Sequence, residues 1–318
     1  MMKVLLIQPL PAPVFDILQT ALAGKAQVQM LSSIDETEFA RAAATAEVLI
    51  NGFGKLTARM LALAPKVRFV QQLGVGYDNL DLEAIRHAGI LVANAPGVNT
   101  EAVAEHTVML MLTWLKKFSQ AEQAARANKW ATLTLTQAGI GDLATATVGL
   151  IGFGAIGQAV AERLRGFGPR LLYTARHRAA LSIEEKSGVL YVSFAELLAT
   201  ARVVSLHLPL AEETRHMMGA KELAQMQAGA VLINTSRGAL VDETALLQAL
   251  ESGQIGGAAL DVLEHEADGG NPFTNLPQVI VTPHTAGLSQ AATNKLFQIA
   301  FGNVVRYVIG QPPQYLIS

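Results

Sequence analysis

The sequence predicts an α/β protein made of two doubly wound, parallel-sheet domains with a cleft between them. Three observations carry this expectation. Short apolar runs alternate with amphipathic helical stretches from the N-terminus onward. A strand, a glycine turn spaced GxGxxG and a helix follow one another between Thr147 and Leu164. Beyond them, several strand-length runs each end on a single polar residue. Parallel neighbours need crossover connections, so regular alternation of strand and helix puts helices on both faces of each sheet.

In the N-terminal part, Val4–Ile7, Val28–Leu31, Val48–Ile50, Arg68–Gln71 and Ile90–Ala93 read as strands. Helical spacing falls at Val14–Leu22, Glu36–Ala44, Thr57–Ala62 and Leu82–Arg86. Asn94-Ala95-Pro96-Gly97 then ends the last strand, and Asn99 or Thr100 is the candidate cap of a long helix through Val103–Leu115 and on toward Ala127. The chain crosses into its second domain here.

The glycine turn comes next. Thr147 to Ile151 runs into Gly152-Phe153-Gly154-Ala155-Ile156-Gly157, and an alanine-rich helix follows. Gly152 lets the chain turn off the strand, Gly154 lets the backbone approach a pyrophosphate, and Gly157 lets the helix lie close to the strand. The first N–H groups of that helix, around Ala155 and Ile156, offer partial positive charge to the phosphates. A second strand, Leu171–Thr174, completes a Rossmann-like dinucleotide unit. At its end an NAD-type site usually places an acid for the ribose hydroxyls. Here the residues are Thr174-Ala175-Arg176-His177-Arg178. With no acid in reach, Arg176 and Arg178 read as a clamp for a 2′-phosphate, so the expected cofactor is NADP (NADPH).

Further strands follow at Val203–Leu208, Val231–Asn234, Gly257–Asp261 and Val279–Thr282, and the tail Ala291–Tyr307 reads as a helix returning to the first domain. The expected division is therefore 1–98 plus 287–318, a discontinuous flavodoxin-like domain that binds substrate, and 99–286, the dinucleotide-binding domain. In open parallel sheets ligands bind at the carboxyl ends of strands. There the sequence delivers Arg237, then Asp261 with Glu266 close behind, then His284. Arginine, glutamate and histidine beside a nicotinamide form a set that can reduce a 2-keto acid. Glu264 competes with Glu266 for the histidine's partner.

Composition removes other classes. Of 318 residues, 51% are hydrophobic and 16% charged, and a net charge of −2 gives no electrostatic case for nucleic acid or a membrane surface. Zero cysteines exclude disulfides and thiolate metal ligands, and fit a cytoplasmic enzyme with no metal. The apolar run at the N-terminus stops at Gln8-Pro9, too short for a secretion signal, and the most apolar helical stretch carries Glu105 and His106.

Several stretches in register resemble the D-isomer-specific 2-hydroxyacid dehydrogenase family: GVGYDNLD (Gly74 to Asp81), NAPGVNTEAVAEH (Asn94 to His106), GFGAIG, HLPLAEET (His207 to Thr214), INTSRGALVDETAL (Ile233 to Leu246), GGAALDV (Gly256 to Val262) and TPHTAG (Thr282 to Gly287). The likeness covers nearly the whole chain. It implies that His284 protonates the keto oxygen, that Glu266 holds the other ring nitrogen and favours the protonated ring, and that Arg237 binds the substrate carboxylate. It further implies that the Val75 and Gly76 N–H groups hold that carboxylate, that Asp261 meets the nicotinamide carboxamide, and that Pro209 and Thr214 line the cofactor pocket. A homodimer through the cofactor domain is implied too. The chain departs from the family where Ala267-Asp268-Gly269-Gly270-Asn271 precedes Pro272, since proline commonly follows the glutamate directly.

The expected activity is reduction of glyoxylate, hydroxypyruvate or 2-ketogluconate by NADPH to the D-2-hydroxy acid. The alternatives are a dinucleotide-sensing, corepressor-like binding module, a D-lactate dehydrogenase and a short phosphoglycerate dehydrogenase; the last is weakened by the lack of a regulatory extension before Ser318. Asn51, Phe53 and Leu73 are expected to line the substrate pocket.

Overall fold

Five parallel strands form the first sheet: β1 (Met2–Leu6), β2 (Ala26–Met30), β3 (Val48–Asn51), β4 (Phe69–Gln72) and β5 (Leu91–Ala93), in the spatial order β2-β1-β3-β4-β5. The computed structural model describes all residues except Ile34, Phe53, Ala267, Asp268 and Ser318. The expectation for Phe53 therefore lies outside the described residues. Strands β3 and β4 are buried at every position, as expected for a parallel sheet covered on both faces. One apolar layer contains Leu5, Ile7, Leu49 and Val70, and the other contains Val4, Leu6, Val48 and Phe69. Alternation along each strand thus feeds both layers.

The helices of this unit are α1 (Ala12–Ala21), α2 (Glu36–Ala43), α3 (Ala58–Ala62) and α4 (Leu82–His87). Three of them start where a side chain satisfies an otherwise orphaned N–H: Asp35 accepts from Glu38, Thr57 from Met60 and Asp81 from Ala84. The C-terminal α13 (Gln290–Val308) belongs to the same unit, which comprises Met1–Asn99 and Ser289–Ser318. Tyr307 stacks on Phe69 at 4.8 Å, Asn303 donates to Gln71 at 3.0 Å, and Leu316 bridges antiparallel to Ala93.

The second unit, Thr100–Leu288, holds seven parallel strands. They are β6 (Thr147–Ile151), β7 (Arg170–Thr174), β8 (Val189–Tyr191), β9 (Val203–Leu206), β10 (Val231–Asn234), β11 (Gly257–Leu260) and β12 (Val279–Val281). Their order, β12-β11-β10-β9-β6-β7-β8, reverses between β6 and β9. Loops leave in opposite directions at such a switch point and open a crevice beyond the strand ends. The unit boundaries fall at Asn99/Thr100 and Leu288/Ser289, one and two residues beyond the expected 98/99 and 286/287.

Two sequence expectations are corrected. The long helix does not run unbroken to Ala127 but ends as α5 (Thr100–Leu115) and restarts as α6 (Phe118–Arg126). Between them Lys117 takes φ 52°, its N–H closes the helix on the Trp114 carbonyl, and its ammonium lies 4.0 Å above the Trp114 ring. Local turn and cation–π contacts end a helix that composition alone would extend. The Asn99 side chain does not cap α5: its Oδ1 is buried without a partner among the described residues. Strand β8 was not foreseen, because three residues at a sheet edge leave little periodic signal. The remaining helices are α7 (Thr132–Gln137), α8 (Ala155–Leu164), α9 (Leu181–Ser187), α10 (Phe194–Thr200), α11 (Ala220–Gln225) and α12 (Glu243–Glu251).

Candidate active site

At the carboxyl end of β12 the chain passes through Thr282 and Pro283 to His284, whose φ is 53°. A non-glycine residue in the left-handed region must be held there by its surroundings. Two backbone bonds help: the His284 N–H donates to the carbonyl of Asp261 at 2.8 Å and lies 3.0 Å from that of Thr282. The ring is set by Glu266, whose carboxylate oxygens lie 2.9 and 3.1 Å from Nδ1. A carboxylate only accepts, so Nδ1 carries the hydrogen. Nε2 has no partner among the described residues, and the side chain is 45% exposed, so that nitrogen can exchange a proton with a ligand. Glu264, the competing glutamate, turns away and binds Arg215 and His216, each at 2.9 Å.

Asp261, expected to meet the nicotinamide carboxamide, directly follows β11. It is 1% exposed, and its oxygens accept from Thr282 Oγ1 (2.5 Å), the Thr285 N–H (2.9 Å) and the Ala286 N–H (2.8 Å). These bonds tie it to the turn that carries His284.

Arg237 follows β10. Asn234 donates to the Arg237 carbonyl and accepts from the Ser236 N–H, while Ser236 Oγ reaches the carbonyl of Leu206 on the neighbouring strand. The loop is thereby fixed before the guanidinium projects, with its Nη1 2.7 Å from the Ser236 carbonyl. The next residue has to be glycine, because a Cβ on Gly238 would stand 2.0 Å from the Leu263 carbonyl carbon. Asn234, Ser236 and Gly238 were not singled out from sequence as supports; the polar pair inside an apolar strand end was the available signal.

The switch point holds the glycine turn. Gly152 takes φ 95°, and a Cβ there would lie 2.3 Å from the His207 carbonyl oxygen at the end of β9. A Cβ on Gly157 would lie 2.4 Å from the Gly152 carbonyl, whereas one on Gly154 would meet nothing within 4 Å. Two glycines therefore permit close backbone approach and the third faces open space at the start of α8, beside Ala155 and Ile156. Next to them, His207 Nε2 bonds Ser205 while its Nδ1 is buried without a partner among the described residues. Burial pushes the His207 ring down to about 4, so at neutral pH it is uncharged. An open cradle at a helix N-terminus and an orphaned polar atom beside it fit a dinucleotide. Thr214 donates to the Pro209 carbonyl at 2.9 Å and accepts from the Ala211 N–H, which closes the loop after β9 on itself.

At the end of β7 the two expected arginines have different surroundings. Arg178 gives Nε and Nη2 to the two oxygens of Glu184, each at 2.8 Å, and Tyr173 donates to the same carboxylate at 2.6 Å. These bonds hold Glu184 down to about 2. Arg176 is exposed and has no partner among the described residues. The pair is thus not two free forks: one is largely taken by a buried carboxylate.

In the first unit, neither the Val75 nor the Gly76 N–H finds an acceptor among the described residues, while Asn94 holds the Val75 carbonyl at 2.7 Å. Both residues are half-buried. Asn51 and Leu73, expected to line a pocket, are interior instead, at 0% and 8% exposure. Asn51 gives its amide to Gln72 and Gly54, joining a set with Gln8 and Asn79 that shapes the loops beyond the sheet. Among the described residues no group of three or more side chains could hold a metal ion, and no helix is long and apolar enough to cross a membrane.

Residues 108–286 match the family described as D-isomer specific 2-hydroxyacid dehydrogenase, NAD binding domain. A glyoxylate reductase of Thermococcus litoralis is 39% identical over 83% of this chain and 81% of its own length. A glyoxylate/hydroxypyruvate reductase B of Klebsiella pneumoniae is 36% identical over 88% and 87%. Among solved structures, the TT0316 protein of Thermus thermophilus superimposes with a TM-score of 0.89 at 34% identity, covering both chains fully. The chain belongs to the D-isomer specific 2-hydroxyacid dehydrogenase family, which acts on small 2-keto and 2-hydroxy acids with a nicotinamide dinucleotide.

Proposed function

We propose that this member of the D-isomer specific 2-hydroxyacid dehydrogenase family uses NADPH to reduce a small 2-keto acid, of the glyoxylate, hydroxypyruvate or 2-ketogluconate kind, to the D-2-hydroxy acid. The observation that carries the reading is His284, held through Nδ1 by Glu266 with Nε2 left available. The nicotinamide supplies the hydride when bound. The chain supplies the rest: His284, entering the step protonated on both nitrogens, gives the Nε2 proton to the keto oxygen and keeps the one on Nδ1, and Glu266 holds the ring in the orientation that makes this possible. Arg237 binds the substrate carboxylate with a planar fork and polarises the adjacent carbonyl. The Val75 and Gly76 N–H groups are proposed as further donors to that carboxylate.

The choice of NADPH rests on the end of β7. Glu184, the carboxylate bonded to Tyr173 on that strand, already accepts from Arg178 and Tyr173, so it is not available to ribose hydroxyls. Arg176 is an exposed cation there with no partner among the described residues, and a 2′-phosphate is a group it suits. Gly152, Gly154 and Gly157 with the start of α8 would take the pyrophosphate, and Pro209 and Thr214 would border the same crevice.

A homodimer accompanies this reading. Met109, Phe118, Trp130 and Leu133 are exposed at 45%, 59%, 93% and 71%, and an open groove of about 630 Å³ along α5 is lined mostly by apolar side chains. Exposed apolar surface of this kind marks an interaction site, and a second copy of this chain is the proposed occupant. Light scattering at micromolar concentration tests it, a monomer counting against it. A cytoplasmic location is the remaining part of the proposal.

The deciding assay is steady-state oxidation of NADPH and of NADH with glyoxylate, hydroxypyruvate, 2-ketogluconate and pyruvate. Preference for NADPH with one of the first three is expected. Tight NADPH binding without turnover on any of them would sink the enzyme reading and leave a dinucleotide-responsive binding module.

A further inference from the structure

The turn that carries His284 is held from a distance by a histidine on another element. His106 lies on α5, with its Nε2 3.0 Å from Thr282 Oγ1 and 3.5 Å from Asp261 Oδ1. Thr282 Oγ1 is 2.5 Å from the same Asp261 oxygen. A hydroxyl has one proton, and a carboxylate can only accept, so the Thr282 proton goes to Asp261. The lone pair left on Thr282 then faces His106, and Nε2 must carry the hydrogen that meets it. Burial lowers the His106 pKa, with the Asp261 charge acting in the opposite sense, so the ring has reason to stay neutral with a single N–H.

Asp261 ends this chain of donors and begins another. Its Oδ1 also accepts from the Thr285 N–H and its Oδ2 from the Ala286 N–H, the two residues directly after His284. Its own carbonyl accepts from the His284 N–H. The left-handed backbone of His284 is therefore flanked on its C-terminal side by two bonds to one carboxylate, and that carboxylate is 1% exposed. A buried carboxylate needs its lone pairs directed as well as filled. Thr282 fixes one of them, and His106 fixes Thr282.

We propose that His106 is a positioning residue for catalysis: through Thr282 and Asp261 it holds the turn that aims His284 at the substrate. This rests on His284 being the proton donor of the proposed reaction. No contact of His106 with substrate or dinucleotide is invoked.

The test uses the full chain and reads three quantities: turnover, dinucleotide affinity from NADPH fluorescence, and amide hydrogen exchange at Thr285 and Ala286. His106→Leu should lower kcat roughly 10-fold or more, leave the keto acid KM and the NADPH Kd within about twofold, and speed exchange at both amides by a similar factor. His106→Gln, which restores an N–H donor, should recover most of the kcat. Thr282→Val breaks the same link from the other side, and the double variant should be little worse than either single one, because one chain is cut twice. Circular dichroism reports whether each variant is folded, and should His106→Leu not fold, Thr282→Val and its Ser rescue carry the test. Unchanged kcat and unchanged exchange in His106→Leu or Thr282→Val would overturn the proposal, as would a loss that Gln fails to recover. His284→Ala separates the two levels: turnover surviving that change would remove the reading of His284 itself, whereas the exchange data would still judge the relay.

Discussion

Two histidines of this chain look alike by local geometry. His284 and His216 both sit in left-handed backbone, at φ 53° and 51°, and both lie 2.9 Å from a glutamate oxygen. What surrounds them differs. Glu264, the partner of His216, is also bound by Arg215 and is 18% exposed on its side chain. Its backbone N–H donates to Glu243, and the His216 N–H donates to Ala239. That cluster is closed and ties loops together. Glu266 has His284 as its partner and is 43% exposed. The nitrogen used differs as well: Glu264 takes Nε2 of His216, leaving Nδ1 beside its own main chain, whereas Glu266 takes Nδ1 of His284 and leaves the outer Nε2 for a ligand. A histidine–glutamate bond is thus no signature of catalysis. The nitrogen that remains is what matters.

The largest effect expected from this contrast is on turnover. His284→Ala should reduce kcat by about 10²- to 10⁴-fold, the range of general acid catalysis, while His216→Ala should keep kcat within about threefold and lower the melting temperature. Steady-state kinetics beside thermal melts would settle it, and equal kinetic losses would erase the distinction. On the carboxylate side, Glu266→Gln should cost about 10- to 100-fold in kcat with little change in stability. Glu264→Gln should do the reverse, with about 1–3 kcal/mol lost in urea denaturation and turnover retained.

The same division between closed and available groups applies to the arginines after β7. Arg176→Ala should weaken NADPH about 10- to 100-fold with NADH nearly unaffected, the worth of one charge-assisted contact. Arg178→Ala should change the NADPH-to-NADH ratio less and stability more, because it strips Glu184 of its bidentate partner. Isothermal titration with both dinucleotides distinguishes them, and equal ratios for the two variants would unite the arginines again.

The smallest effect near neutrality comes from a third histidine that is held uncharged. Burial takes His207 from 6.5 to about 4, so the unfolded chain binds more protons between those values. Its contribution is complete only well above pH 6.5, is lower by under about 1 kcal/mol at pH 6, and is lost to the extent of roughly 3 kcal/mol by pH 4. Glu184, lowered from 4.5 to about 2, acts in the next window: its contribution is present above pH 4.5 and declines as pH falls toward 2. Urea titrations of wild type and His207→Phe across pH 4 to 7 should show the slope in the first and its absence in the second, and parallel curves would refute the assignment.

Much of the fold was legible because periodicity is local. Strands such as β3 and β10, each a buried four-residue run, announce themselves by composition and by the turns that bound them. The glycine turn was legible for a related reason, since at Gly152 and Gly157 its spacing states a backbone requirement that no other residue meets. The break at Lys117 was not, because it depends on a ring and an ammonium meeting in space. Edge strand β8 was missed for lack of length.

By itself the sequence determined the succession of parallel strands and the dinucleotide turn, because each is a local pattern of residue types, and it nominated Arg237 and His284 after strand ends, with Glu266 preferred to Glu264 through the family resemblance. It could not decide what each polar group would bind. Tertiary structure alone assigned Glu266 to His284 and Glu264 to His216 and Arg215, closed Arg178 on Glu184, and turned Asp261 inward toward the His284 turn. Hydrogen-bond partners separated by many residues are chosen by distance and burial after the sheet has formed, and neither quantity is written in the order of the residues.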